Sequence, residues 1–287
     1  MSFIVQCTRK GIEVILSQAR NLDKGEPTMQ NLPLILTVSP DRLREVRVKG
    51  CTIAHMAYRM GRGPHLYRAG GSQPLNGGLM GLDVQQFDGS GQVAPFCQEV
   101  MRECASRNFR GVICDFEGRK LPVLEQIVQE LGESFHRKGW SFYVAEGYGH
   151  CSPHAKVMIS SAISGGSLEV RLQEAAERYG AERTILAVER LAEDFFLPAP
   201  NGNGTPLSQQ ELTEHLERLT PSVFFSRELC ARYFTYMSRD TGAHFVLFDD
   251  GGTIHQKLEL AARLNLGGAV LAWAEICEWK AELGLGG

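Results

Sequence analysis

Short apolar runs separated by longer stretches of helical period constrain this chain more than any other feature. The runs fall at 34–38, 51–58, 79–87, 111–117, 141–146, 156–160, 184–188 and 268–273. Between them lie helical stripes. Val93, Phe96, Cys97, Val100, Met101 and Cys104 recur at spacings of three and four, as do Val123, Leu124, Ile127, Val128 and Leu131. Leu168, Leu172, Ala175, Ala176 and Tyr179 repeat the theme, followed by Ile254, Leu258, Ala261 and Leu264. A stripe of this kind lies against a sheet. Strand and helix in alternation mark βα units on a parallel sheet, and eight strands predict closure. The expected fold is α/β, a single (β/α)8 TIM barrel, for which 287 residues suffice. The connection between the first two runs is short for a crossover helix, so the first strand could instead come from residues 1–30. That N-terminal segment has no assigned place, and the barrel takes 31–287.

The fourth run, Phe-Arg-Gly-Val-Ile-Cys-Asp-Phe-Glu from Phe109 to Glu117, carries acid at its end. Side chains alternate along a strand, so Asp115 and Glu117 share a face about 7 Å apart, with Ile113 before them on that face. In a parallel barrel the C-terminal rim is where catalytic groups sit. Cys114 falls between the inward positions and faces the helices, which makes it a core residue rather than a nucleophile. Gln86 (with Gln85 and Asp88) follows the third run, Glu146 and Tyr148 the fifth, Ser160 ends the sixth and Glu189 follows the seventh. Rim positions suit polar groups that orient a ligand.

Pro198 to Pro206, rich in Pro, Gly and Asn, is a loop. With the residues up to Tyr236 it forms a long excursion between strands 7 and 8, placed to rise over the barrel mouth. No Gly-rich segment has the order of a phosphate loop.

A formal charge of -3, with Lys and Arg scattered, gives no footprint for nucleic acid. Nor does any apolar run approach the roughly 20 residues of a membrane span. The eight cysteines lack a Cys-x-x-Cys pair and the start does not read as an export signal, so the expected setting is a reducing cytoplasm, with deposition on a spore or cell surface as the other route. Neither His150, Cys151 and His154 nor Asp249 and Asp250 form a metal frame, and no metal or cofactor is expected. Oligomeric state is not legible.

The acid-bearing strand resembles the signature strand of glycoside hydrolase family 18, the chitinase-like TIM barrels. That pattern runs hydrophobic, Asp/Asn, Gly, hydrophobic, Asp/Asn, hydrophobic, Asp/Asn, any residue, Glu. Phe109, Gly111, Val112, Asp115 and Glu117 match it, Arg110 and Ile113 do not, and Cys114 is a mild change. A second segment, Phe245 to Trp273, is similar to the family's closing segment.

The resemblance implies a retaining glycosidase in which the substrate's own N-acetyl group is the nucleophile. Glu117 would protonate the departing oxygen, Asp115 would hold the acetamido nitrogen, and Trp273 would be the platform under the sugar. The partner would be an oligosaccharide or polysaccharide containing N-acetylhexosamine. The family's sixth strand ends Met-x-Tyr-Asp, where this chain has Met158-Ile159-Ser160-Ser161. Tyr143, Tyr148, Tyr58 or a residue of the excursion would then replace the tyrosine, or the substrate is held differently, or the barrel binds carbohydrate without cutting it.

Overall fold

The computed structural model describes residues 32–69, 74–116, 118–198 and 204–285. Strands β1 (Leu34–Val38), β2 (Cys51–Met60), β3 (Leu66–Arg68), β4 (Leu79–Asp83), β5 (Gly111–Asp115), β6 (Ser141–Ala145), β7 (Lys156–Ser160) and β8 (Thr184–Val188) precede a five-strand insertion, and β14 (Ala269–Ala272) follows it. Eight of these pair in parallel in the order β1, β14, β8, β7, β6, β5, β4, β2, and β1 also pairs with β2, which closes the barrel. β3 lies outside the ring as an antiparallel hairpin arm on β2.

Each barrel strand sends one side chain into a shared interior layer: Ile35, Ala54, Leu79, Ile113, Tyr143, Met158, Ile185 and Val270. This layer plugs the barrel, as close packing of inward side chains requires. Residues one position away face outward. Val112 and Cys114 of β5 pack with Phe96, Cys97, Val100 and Cys104 of the helix Val93–Ser106 and with Leu124, Ile127, Val128 and Leu131 of the helix Pro122–Lys138. On the opposite side the helices Leu168–Tyr179 and Gly251–Arg263 cover the outward residues of β7, β8, β1 and β14.

All eight predicted runs are barrel strands; β4, β5, β6 and β14 end earlier than expected at the mouth, while β2 runs on to Met60. β4 stops at Asp83 because Asp83 accepts a hydrogen bond from the Gln85 N–H (2.7 Å) and Phe87 N–H turns back to the Val84 carbonyl (3.0 Å). The alternative origin of the first strand is set aside: β1 is 34–38, and it reaches β2 through turns at 40–45 without a helix.

The excursion is a folded unit. β9 (Ala192–Phe196), β10 (Thr205–Pro206), β11 (Phe224–Ser226), β12 (Ala231–Ser238) and β13 (Gly242–Phe248) form an antiparallel sheet in the order β10, β9, β13, β12, β11. It extends past Tyr236, through Phe248. The helix Gln209–Leu219, started by a Ser208–Glu211 capping box, lays Leu212 and Leu216 against Phe234, Val246 and Phe248 on one face. On the other face Phe195, Ala231 and Leu247 meet Ala162, in the loop that follows β7. That contact seats the sheet beside the barrel mouth.

The two ends of the insertion are held together at its neck. Asp249 N–H donates to the Leu191 carbonyl (2.7 Å), and the Asp249 carboxylate accepts from Leu191 N–H (2.9 Å), Thr253 Oγ1 (2.8 Å) and Lys257 Nζ (2.6 Å). Both charged side chains are fully buried. Asp249 is thus committed to an internal ion pair.

Candidate active site at the barrel mouth

A cavity of about 630 Å³ opens at the C-terminal ends of β5 to β8. Asp115, Ala145, Met158, Ser160 and Ala187 bring strand ends to it, and the loops beyond add Phe116, Gly118, Arg119, Lys120, Glu146, Gly147, Tyr148 and Glu189. Asp115 reaches the mouth because Ile113, two residues earlier, points into the interior layer and alternation carries the same face upward. Its side chain is exposed, and it stands opposite Asp83 in the β4–β5 register. Glu117 lies outside the described residues, while Phe116 and Gly118 on either side of it in sequence both line the cavity.

Glu146 does not stand alone. Its Oε2 accepts from Arg171 Nη2 at 2.7 Å, so a helix that packs on β7 and β8 sends a guanidinium into the mouth. Tyr148 is buried, and its hydroxyl donates to the Arg119 carbonyl. Arg119 in turn donates from Nη2 to the Phe87 carbonyl (2.6 Å) and from Nη1 to that of Gln85 (3.4 Å), which ties the loop after β5 to the loop after β4. On the far wall Ser160 Oγ donates to Glu189 Oε2 at 2.8 Å and accepts from Ala162 N–H at 3.1 Å. Ser161 Oγ meanwhile donates to the Glu189 carbonyl.

Two predicted site residues are not brought to this cavity. Gln86 borders a separate surface groove with Gly61, Arg62 and Tyr67, because the chain leaves the strand at Asp83 and the alternation that aimed position 86 at the mouth no longer holds. Trp273 is only 3% exposed and packs in the outer cluster with Ile276, Leu271 and Val38. β14 ends at Ala272, and a short helix begins at Trp273. Val270 is the inward residue, so Ala272 shares its alternation and the indole falls one position out of phase.

The expected replacements for the missing tyrosine are also placed. Tyr58 faces the outer helices, where its hydroxyl donates to Glu103 Oε1 at 2.7 Å, and burial with that carboxylate pushes its pKa up. Tyr143 belongs to the interior plug. Tyr148 reaches the cavity, but its hydroxyl is engaged by backbone. Cys114 is fully buried against the helices, and burial pushes its thiol well above the ordinary range.

Sequence reading missed Arg119, Lys120 and Arg171. Arg119 and Lys120 follow the acid strand directly, which was the available signal; Arg171 sits on a helix face with none. Among the described residues, no group of three or more His, Cys, Asp and Glu is placed to hold a metal ion.

A chitinase from Chromobacterium violaceum superposes with a TM-score of 0.63 over 88% of this chain and 98% of that one, at 17% identity. The fold is that of the chitinase-like barrels. The spore cortex-lytic enzyme SleL of Bacillus megaterium matches 84% of this chain and 70% of its own at 13% identity and a TM-score of 0.56. An Ostrinia furnacalis Group II chitinase catalytic domain, solved as a mutant in complex with penta-N-acetylchitooctaose (NAG)5, matches 84% of this chain and 89% of its own at 14% identity and a TM-score of 0.59. No family model and no curated protein matches the chain. At such identities the likeness is one of architecture, and this chain is a divergent version of it.

Proposed function

We propose that this protein is a glycoside hydrolase that cleaves a glycan containing N-acetylhexosamine with retention of configuration, using the substrate's acetamido group as nucleophile. The observation that carries the reading is Asp115 at the C-terminal end of the fourth barrel strand, opening into a cavity in a fold shared with chitinases. The resemblance of the strand gives the roles. Asp115 accepts from the acetamido N–H and stabilises positive charge as the ring of the oxazolinium forms, and Glu117 gives its proton to the departing glycosidic oxygen. Met158, Ala145 and Ala187 supply apolar surface for the sugar's C–H face, while Glu146 and Ser160 contribute polar wall.

A second reading is favoured by two particulars: Ser160 is bonded to Glu189 where the related barrels carry a tyrosine, and Trp273 is withdrawn from the cavity. On this reading the barrel binds the glycan without turning it over. Incubation with labelled N-acetylglucosamine oligomers decides between them. Products from the wild type, their loss in Glu117→Gln, and inhibition by an oxazoline mimic support hydrolysis. Binding without products in either protein supports the second reading, and neither binding nor products removes both.

A further inference from the structure

We infer that the glycan this cavity accepts carries a carboxylate, held at the lip formed by the loops after β5 and β6. The inference rests on the reading of the cavity as a glycan site, and names the class of glycan. Three cationic side chains line that lip: Arg119, Lys120 and Arg171. A site for neutral N-acetylglucosamine units alone has no electrostatic need of them.

Their bonding differs in a way that matters. Arg171 is paired with Glu146, which fixes its guanidinium at the wall and leaves Nη1 without a protein partner among the described residues. Arg119 is held by neutral carbonyls of Gln85 and Phe87, so its charge is oriented without being neutralised by a carboxylate. Lys120 is exposed and makes no hydrogen bond or ion pair among the described residues. Its stem lies beside Gly147, where an added Cβ would meet Lys120 Cε at 3.9 Å, so the side chain spans from the loop after β5 to the loop after β6 at the cavity. Among the described residues, the other carboxylates lining the cavity are Asp115, on the end of β5, and Glu189, beside Ser160. Among the described residues the lip thus holds two cations, Arg119 and Lys120, without an ion-pair partner, and one, Arg171, paired with Glu146. An anionic substituent at the lip meets Lys120 and the oriented guanidinium of Arg119, and a sugar ring reaching inward from it arrives at Asp115. Two glycan chemistries provide a carboxylate on or next to an N-acetylhexosamine: an ether-linked lactyl group on the sugar itself, or a neighbouring uronic acid.

Binding by the full-length protein tests this independently of turnover. Calorimetric titrations would compare N-acetylglucosamine oligomers, glycan strands with free lactyl carboxylates, the same strands with those carboxylates capped as methylamides, and oligomers alternating N-acetylglucosamine with glucuronic acid. At least one carboxylated glycan should bind about fivefold more tightly than its neutral counterpart. The preference should fall as salt is raised, shrink toward unity in Lys120→Gln and persist in Lys120→Arg. Equal affinity for free and capped strands together with no gain from the uronic acid, a preference unchanged in Lys120→Gln, or no binding of any glycan would each overturn the inference. Cleavage measured in parallel separates the two claims. Preferential binding without cleavage leaves the inference standing and removes the hydrolytic reading; cleavage without preference does the reverse.

Discussion

Replacing Lys257 with Met puts the neck of the insertion to a quantitative test. The Lys257 ammonium and the Asp249 carboxylate are 2.6 Å apart with both side chains fully buried. Removing one member of such a pair strands a buried charge, which costs ~3–5 kcal/mol. Asp249 would still accept from Leu191 N–H and Thr253 Oγ1, which puts the expected loss near the lower end, about 3 kcal/mol. In a chain of this size each kcal/mol moves the melting temperature by ~2–4 °C, so a drop of roughly 6–12 °C follows. Urea titration followed by tryptophan fluorescence and by circular dichroism would measure it. The double variant Asp249→Asn/Lys257→Met, which removes both charges, should recover part of the loss. A change below about 1 kcal/mol in Lys257→Met, or a double variant less stable than the sum of the singles, would refute the reasoning.

Other outcomes follow from single contacts. Gly111→Ala should cost at least ~2 kcal/mol by denaturant titration, because its Cβ would lie 2.1 Å from the Ser141 carbonyl oxygen in the neighbouring strand, where backbone has no room to move. Cys114 should stay unmodified by iodoacetamide in the native state from pH 7 to 9, since its raised pKa keeps the thiol protonated throughout that window, and react once the chain is unfolded; mass spectrometry of the labelled peptides reads this. Tyr58→Phe should lose only about 1 kcal/mol of stability with the Glu103 hydrogen bond and leave glycan cleavage rates unchanged, because its hydroxyl faces the outer helices.

Most of the barrel was legible because its strands are short apolar runs whose outward neighbours sit against helices of clear period. The link from β1 to β2 misled because a crossover was expected to carry a helix, and here turns suffice. The insertion sheet was read only as an excursion; its strands mix Phe and Tyr with charged residues such as Glu193, Asp194 and Arg232 without a clean alternation, a weaker signal than a barrel strand gives. Asp115, Glu146, Tyr148 and Ser160, all expected at the rim, line one cavity because β5 and β7 end there and the turn Glu146–Tyr148 follows β6 directly. Gln86 and Trp273 lie elsewhere for separate reasons: the chain turns away from the mouth between Asp83 and Phe87, and Trp273 falls one position out of phase with the inward Val270. Arg171 was invisible because it comes from a helix, and nothing in helical period says that a polar position reaches over a barrel rim.

Substrate assistance at Asp115 and Glu117, as proposed, breaks the glycosidic bond with retention of configuration. Proton NMR of the freshly released reducing end, recorded before mutarotation during digestion of a β-linked N-acetylglucosamine oligomer or its carboxylated counterpart, tests it most directly. The β anomer should appear first. First appearance of the α anomer, or no released sugar from either substrate, would contradict it.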